Sequence, residues 1–495
     1  MRALWDPDTN LSAVAAPHIC QYLNMSEPSR HRRIVPLIIA FPLFLQNLDT
    51  TVMATALPAM AHSLQVPVLH LNIAIAAYVL SLAVFLPASA WLAHRFGARR
   101  IFCSAVLVFT LGSALCGMAH TLGQLVACRL FQGAGGAMMV PVGRSILLQS
   151  VPAGEMVKAM VWFSLPGAIG RLTGPLVGGL IVTIASWPWI FLVNIPFGVT
   201  GTLLALKFVD EDGSLASRGE RPFDVVGLAL MATALGGILG SLELAGKGLL
   251  SAPNIVMVAL AGLLSLGIYL RRSSGQEFAL LDFGVLRYPT FRIALLGGFP
   301  IRVAIGAAPF LLPLMLQIGF GLTPMRAGSL VMGLAIGSLG TRLVVSRAIH
   351  AMGFRSLMII SAALAAGFYA AYGLFTPRTS TILMFCVFVA GGLCTSMTMV
   401  TLNTLGYNGI PTSRTGHAAA MSAMAQQVSI ALGVVVGAGL VSAAGFVRGG
   451  SSVPIAATDF APAFMVIAVM AAWSANLFRR FGSEDGSEMR STSVN

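Results

Sequence analysis

Asp49 stands in a run that is otherwise built for oil, Phe44-Leu45-Gln46-Asn47-Leu48-Asp49-Thr50-Thr51. On a helix, Gln46, Asp49 and Thr50 fall at i, i+3 and i+4 and share one face. A second run reads Arg129-Leu130-Phe131-Gln132-Gly133-Ala134-Gly135-Gly136, with Arg129, Gln132, Gly133 and Gly136 on one face. An ionised side chain at the centre of a bilayer costs roughly 2.5–3.5 kcal/mol on insertion scales, so each one calls for a reason. Burial disfavours an ionised carboxylate and a neighbouring guanidinium favours it. A carboxyl held between those effects can take up and release a proton; the alternatives are a helix cap or a fixed ion pair. Arg129 needs an acceptor, and Asp49 is the candidate. The glycines beside Arg129 are expected to leave room for its guanidinium along the helix.

Other polar groups sit in apolar surroundings. Arg171 lies in a glycine-rich segment in which Gly170, Gly174 and Gly178 recur every four residues beside Pro175 and Gly179. Small residues at that spacing let two helix backbones approach closely, and an internal proline bends a helix. Such a segment suits either a helix that rocks on its neighbour or static tight packing. Arg302 lies deep in a later run. Arg342 and Glu243 lie near run ends, from which long side groups reach the interface. The deep positions thus set Arg129, Arg171 and Arg302 against Asp49 alone, an imbalance that fits an anionic substrate or backbone carbonyl partners.

The elements that place these residues are long apolar helices. About 20 apolar residues span the hydrocarbon core, and fourteen runs reach that length: 34–60, 71–91, 101–119, 121–149, 159–183, 188–208, 223–245, 253–270, 293–317, 327–346, 357–375, 380–405, 416–444 and 460–478. The composition agrees, with 57% hydrophobic and 9% charged residues against about 25% charged in soluble domains. Mean hydropathy is +0.85. The fold class is an all-α polytopic membrane protein. The net charge of +13 does not point to nucleic acid, because the charges sit at helix ends. Of the 30 Lys and Arg residues, 21 fall in the tails, the even-numbered loops or, for Lys207, at the cytoplasmic end of a run, and only Lys247, Arg326, Arg378 and Arg448 in the odd-numbered loops. The other five, Arg129, Arg144, Arg171, Arg302 and Arg342, fall within runs. This asymmetry places both termini in the cytoplasm. Residues 1–33 have no apolar core of their own and are read as a cytoplasmic tail rather than a cleaved leader.

Two longer cytoplasmic segments, 209–222 and 271–292, bracket two helices and leave six on each side. The expected organisation is a six-helix bundle at 34–208, linkers and two extra helices at 209–292, a second bundle at 293–478 and a tail at 479–495. A short repeat supports two halves: His94-x-x-Gly97-x-Arg99 after the second run and His350-x-x-Gly353-x-Arg355 after the tenth. Duplicated bundles are the architecture of many transporters.

At these residues the sequence resembles the major facilitator superfamily, in its 14-helix drug:proton antiporter branch (the EmrB/QacA type), over about residues 35–480. Leu48-Asp49-Thr50-Thr51 through Ala56-Leu57-Pro58 resembles the first-helix motif of the branch. Leu92 through Arg100, with His94, Arg95, Gly97 and Arg99, resembles the cytoplasmic gating motif. Arg129 through Gly133 resembles a fourth-helix motif linked in the family to proton transfer, and Gly170 through Gly179 resembles the antiporter motif. Trp187 through Pro196, Arg302-Val303, Pro309-Phe310 and Asn403-Thr404-Leu405 add further likeness. The resemblance implies a proton-coupled exporter of small molecules, of the multidrug type, in a bacterial inner membrane. Asp49 and Arg129 would couple protons, and Gln46, Gln132, Arg171, Arg302 and Asn403 would line the substrate cavity.

Two departures are specific to this sequence. His94 stands where the gating motif carries Asp, so a charge latch is weakened, or reversed when the imidazole is protonated; Ala90 replaces a glycine of that motif. Arg171 stands where the antiporter motif carries Pro and adds a charge that bears on substrate choice.

No cofactor or metal is expected, since the proton gradient would be the driving force. The six cysteines show no ligand spacing, and no phosphate-binding loop, paired haem histidines or Ser/His/Asp cluster is evident. The expected partners are protons, a small-molecule substrate and the lipid bilayer, with a periplasmic adaptor admitted, nucleic acid excluded and the oligomeric state left open. Two alternatives remain: a proton-coupled exporter of an organic anion or metabolite, and a non-transporting sensor or complex subunit.

Overall fold

In hydrocarbon every backbone N–H and C=O must find its partner within the protein, so an apolar run becomes a helix. The computed structural model describes residues 27–151, 156–209, 223–245, 247, 250–273, 280–411, 414–450 and 454–482. Among the described residues there is no strand, and 14 helices are long and apolar enough to cross a membrane. They are α1 (Val35–Leu64), α2 (Val68–Phe85), α3 (Ala98–Gly117), α4 (Leu122–Leu147), α5 (Trp162–Ile184), α6 (Trp189–Phe208) and α7 (Val225–Leu244). The rest are α8 (Ala252–Ser273), α9 (Pro289–Gly319), α10 (Pro324–Met352), α11 (Phe354–Gly373), α12 (Thr381–Gly406), α13 (Thr415–Gly449) and α14 (Ala457–Arg480). The expectations for residues 1–26, 210–222, 274–279 and 483–495 lie outside the described residues.

Two spans differ in form from the plain helices expected. The run 71–91 is interrupted: α2 ends at Phe85 and a short helix, Ala88–Phe96, follows Pro87. Proline has no N–H to give to the helix ladder. The run 293–317 extends over Pro289–Gly319 and carries π-helical turns at Ile293–Gly297 and Met315–Gly319. Helix starts are capped where the sequence supplies a short oxygen-bearing side chain. Thr121, Asp224 and Thr323 accept from the backbone N–H of Gln124, Gly227 and Arg326 respectively.

The first and last six helices repeat one packing scheme. In the first set α1 packs on α5 and α6, α4 on α2 and α3, and α3 on α6. In the second, α9 packs on α13 and α14, α12 on α10 and α11, and α11 on α14. Each pair has its counterpart eight helices later. The short repeat obeys the same symmetry. Gly97 (φ 95°) and Gly353 (φ 78°) turn the backbone through a conformation costly for any residue with a Cβ. Arg99 Nη2 then donates to the carbonyl of Leu206 at the end of α6, and Arg355 Nη2 to the carbonyl of Arg479 at the end of α14, 2.8 Å for the latter. Each loop arginine therefore ties its own bundle together.

Between the bundles, α5 meets α10 and α2 meets α13, with a smaller contact of α1 on α9. The α5–α10 seam is close because it is made of glycine: a Cβ on Gly328 would stand 2.0 Å from the Pro175 carbonyl oxygen, and one on Gly179 2.4 Å from that of Pro324. Gln317 Nε2 on α9 donates to the Thr55 carbonyl of α1 at 3.0 Å.

The extra helices α7 and α8 pack on each other, and α7 also touches α2 and α13. Glu243 does not reach for the interface as its position near the end of α7 suggested. It is buried, accepts from Asn72 Nδ2 of α2 at 3.1 Å and pairs with Lys247. Burying a carboxylate this way is tolerable because two donors meet it. On α8, Val256, Met257, Leu260, Leu263 and Leu264 are exposed, as suits a surface facing lipid.

Overpacking a tight contact typically costs about 1–3 kcal/mol. Gly328→Val should therefore lower the thermal unfolding midpoint in detergent by several degrees. Gly367→Val, at a glycine with nothing within 4 Å of its Cβ position, should leave the midpoint near that of the parent.

Candidate functional site

The buried polar centre of the first bundle is assembled from four helices. Asp49 of α1 and Arg129 of α4 are 2% and 1% exposed and form an ion pair, Nη1 to Oδ2 at 2.6 Å. Gln132, fully buried one turn along α4, donates from Nε2 to Asp49 Oδ1 at 3.0 Å. Its Oε1 accepts from Arg129 Nη1 at 2.8 Å. Asn194 of α6 donates from Nδ2 to Asp49 Oδ1 at 3.4 Å and to Ser113 Oγ of α3 at 3.0 Å. Ser113 in turn donates to the Phe191 carbonyl at 2.9 Å. Both carboxylate oxygens thus accept hydrogen bonds, which is the arrangement of an ionised carboxylate.

Arg129 has supports that do not depend on Asp49. Its Nη2 donates to Met53 Sδ at 3.0 Å. Its Cζ lies 4.5 Å from the ring centroid of Tyr78 on α2 and 5.3 Å from that of Phe191 on α6. A desolvated cation–π contact is worth about 2 kcal/mol. The guanidinium therefore keeps a soft acceptor, an amide oxygen and two ring faces if the aspartate becomes neutral.

The glycines serve a different purpose from the one their spacing suggested. A Cβ on Gly133 would meet Ser81 Cβ at 2.6 Å and the Tyr78 carbonyl at 2.7 Å, and one on Gly136 the Tyr78 hydroxyl at 3.0 Å. They admit α2 against α4 rather than making room for the guanidinium, and so bring the Tyr78 ring to Arg129. Ser81 Oγ donates to the Leu130 carbonyl at 2.6 Å across that contact. On α5, Gly170, Gly174 and Gly178 face α1, where Cβ atoms would fall 2.5 Å from the Phe44 carbonyl and 1.8 and 2.3 Å from the Thr51 and Thr55 hydroxyl oxygens. Gly179 and Pro175 face α10 instead.

The remaining residues singled out from the sequence are dispersed. Gln46 is half-buried on α1, its Oε1 without a hydrogen-bond partner, and Thr50 donates to the Gln46 carbonyl at 2.7 Å. Arg302 of α9 is 2% exposed and has no ion pair among the described residues. It donates to the Ala294 carbonyl and to Asn403 Oδ1 of α12, both at 3.3 Å. Arg171 is exposed on α5, and Arg342 of α10 acts on it as a like charge. His94 and Arg95 are exposed on the short helix after α2. Among the described residues no group of three or more His, Cys, Asp or Glu is placed to hold a metal ion.

Sequence reasoning did not give Asn194, Ser113, Tyr78 or Met53 a part in this centre. The only available signal was weak: Asn194 is the one strongly polar residue in the run Trp189–Val199.

An all-helical protein with two six-helix halves and a buried charge centre is built as a membrane transporter. The sequence pattern of the Major Facilitator Superfamily matches residues 39–434, and the chain belongs to that superfamily. It is 35% identical over 450 residues to the "Putative multidrug resistance protein MdtD" of Yersinia enterocolitica, covering 91% of this chain and 95% of that protein. It is 39% identical over 399 residues to the MdtD of Pectobacterium carotovorum, covering 80% of this chain and 84% of the relative. Among solved structures, a D-xylose-proton symporter superposes with a TM-score of 0.65 at 14% identity, covering 91% of this chain and 98% of the other, which shows a shared fold.

Removing one member of a buried ion pair typically costs about 3–5 kcal/mol, because the other charge is left uncompensated, while replacing both is far milder. Arg129→Leu alone should sharply reduce folded protein and its thermal midpoint. Asp49→Leu combined with Arg129→Leu should recover most of that loss, as read by size-exclusion yield and thermal melts.

Proposed function

We propose that this protein is a proton-coupled secondary exporter, an antiporter of small molecules of the multidrug type, in a bacterial inner membrane with both termini cytoplasmic. The observation that carries the reading is the Asp49–Arg129 pair, buried at 2.6 Å. Proton uptake by Asp49 removes one charge from this centre, and Arg129 stays held by Gln132, Met53 and the two rings. The net charge of the first bundle then changes without the bundle coming apart. The same residues meet helices from both sides of the bundle, so a change of charge at Asp49 is felt by α1, α3, α4 and α6 together. The glycine seams beside it are the surfaces along which the halves would move. The likeness to multidrug resistance proteins supports drugs as cargo, and the Lys/Arg asymmetry of the loops supports the orientation.

A second reading has its own observation. Arg302 is buried against a carbonyl and an amide with no carboxylate, and Arg171 and Arg342 add two further positive charges on the facing helices α5 and α10. That excess of positive charge favours an anionic cargo such as an organic carboxylate.

In proteoliposomes with an imposed pH gradient, Asp49→Asn should abolish proton-driven efflux of ethidium while the protein still inserts. Undiminished pumping would remove Asp49 from the mechanism. In a parallel screen of carboxylates, driven transport that is lost in Arg302→Leu would select the anionic cargo.

A further inference from the structure

The buried side-chain oxygen Asn194 Oδ1 has no hydrogen-bond partner. Leaving a buried acceptor unmet is costly, and native structures seldom do it without a reason. The amide orientation is not arbitrary: an ionised Asp49 can only accept, so the Asn194 NH2 must point at it and the oxygen must point away.

We infer that Asn194 is a positioning residue that follows the protonation state of Asp49, donating to the carboxylate and turning over to accept from the acid. This rests on the reading of Asp49 as the proton-coupling group. The choice of Asn194 over Gln132 follows from their other bonds. Gln132 Oε1 already accepts from Arg129 Nη1 at 2.8 Å and from Cys116 Sγ at 3.7 Å. Turning that amide over would set its NH2 against the guanidinium, so Gln132 is locked. Asn194 makes the longest of the bonds to Asp49, 3.4 Å, and its oxygen has nothing to give up.

Oδ2 of Asp49 is held by Arg129 at 2.6 Å, so an incoming proton goes to Oδ1. A rotation of the Asn194 amide by half a turn about Cβ–Cγ then puts Oδ1 of Asn194 where Nδ2 was, facing the new O–H. Ser113 accepts from the Asn194 NH2 now, and its one proton goes to the Phe191 carbonyl at 2.9 Å; to bond the turned amide's oxygen it must give up that carbonyl. The amide therefore gives α6 a hydrogen bond to α1 in either state of the aspartate, where a purely donating group would lose its bond on protonation.

The titratable groups facing Asp49 are Arg129 from α4, Tyr78 from α2 and Cys116 from α3. At this depth α5 presents Gly170 and Gly174, and α6 presents Asn194. Arg302 of α9 is engaged with α12 through Asn403. Of these neighbours, Asn194 is already bonded to Asp49 and has an unmet oxygen; the Tyr78 hydroxyl and Gln46 Oε1 are likewise unmet but make no hydrogen bond to the carboxylate.

The test is a pH-difference infrared spectrum of the full protein in phosphatidylethanolamine–phosphatidylglycerol vesicles, with ethidium efflux measured on the same preparations. Acidification should produce a carboxylic acid carbonyl band that is absent in Asp49→Asn. In Asn194→Leu that band should move to higher wavenumber, because the acid has lost its acceptor. Driven efflux should fall about tenfold, the effect of one ordinary hydrogen bond. In the Asp49→Asn background, Asn194→Leu should change neither the spectrum nor the flux further. Should Asn194→Leu fail to accumulate, wild-type protein with carbonyl-labelled asparagine carries the test. The amide carbonyl band of one labelled asparagine should then move to lower wavenumber on acidification, and not do so in Asp49→Asn. An acid band that Asn194→Leu leaves in place, or asparagine carbonyls that ignore acidification, would overturn the role of Asn194 alone. A wild-type spectrum with no acid band would instead overturn the reading of Asp49 on which it rests.

Discussion

A carboxylate and a guanidinium 2.6 Å apart, shut away from water inside a bundle of apolar helices, are the constraint around which the first half of this protein is arranged. Each charge offsets much of the desolvation cost of the other. Together they need their remaining hydrogen-bonding capacity met, and the polar residues of α3, α4 and α6 do most of that. The rings of Tyr78 and Phe191 then cover the guanidinium faces. What looks from the sequence like scattered polar residues in lipid-soluble helices is one connected centre.

The glycines make that centre reachable. Side-chain length is fixed, so the helices must come close enough for an aspartate, two amides and a serine to touch. Gly133 and Gly136 bring α2 onto α4, and Gly198 brings α6 onto Thr110 of α3, where a Cβ would stand 1.9 Å from the hydroxyl oxygen. The second half repeats the helix scheme with different chemistry. Gly306 and Gly433 bring α9 and α13 together, yet Arg302 there has no ion pair among the described residues. One duplicated scaffold therefore holds the buried Asp49–Arg129 pair in one half and the buried Arg302, held by a carbonyl and an amide, in the other.

Fourteen helices, two halves and the family were legible in the sequence. They follow from apolar run length, from the repeated His-x-x-Gly-x-Arg and from motifs around Asp49 and Arg129, because each is a local signal. The pairing of Asp49 with Arg129 was legible from elimination, as the first bundle offered one deep carboxylate. What was hidden depends on rotation and approach. Asn194 and Ser113 are 81 residues apart, and nothing in either run says that they face each other. The purpose of Gly133 was misjudged for the same reason: spacing gives a face, but not which neighbour the face meets. The side chain of Arg171 is exposed because its glycine neighbours, not the arginine, take the face towards α1. Glu243 was read as an end residue reaching for water because its partner Asn72 lies 171 residues away on another helix.

The central requirement is that Asp49 gains and loses a proton inside the folded bundle, with Arg129 staying in place. A difference titration of purified wild type against Asp49→Asn, in lightly buffered detergent solution with both proteins shown to be folded, tests this directly. Taken from mildly alkaline to mildly acidic medium, wild type should bind one more proton per molecule than the variant. Equal uptake by the two proteins would mean that Asp49 never leaves its ionised state, and the coupling role assigned to it would be wrong.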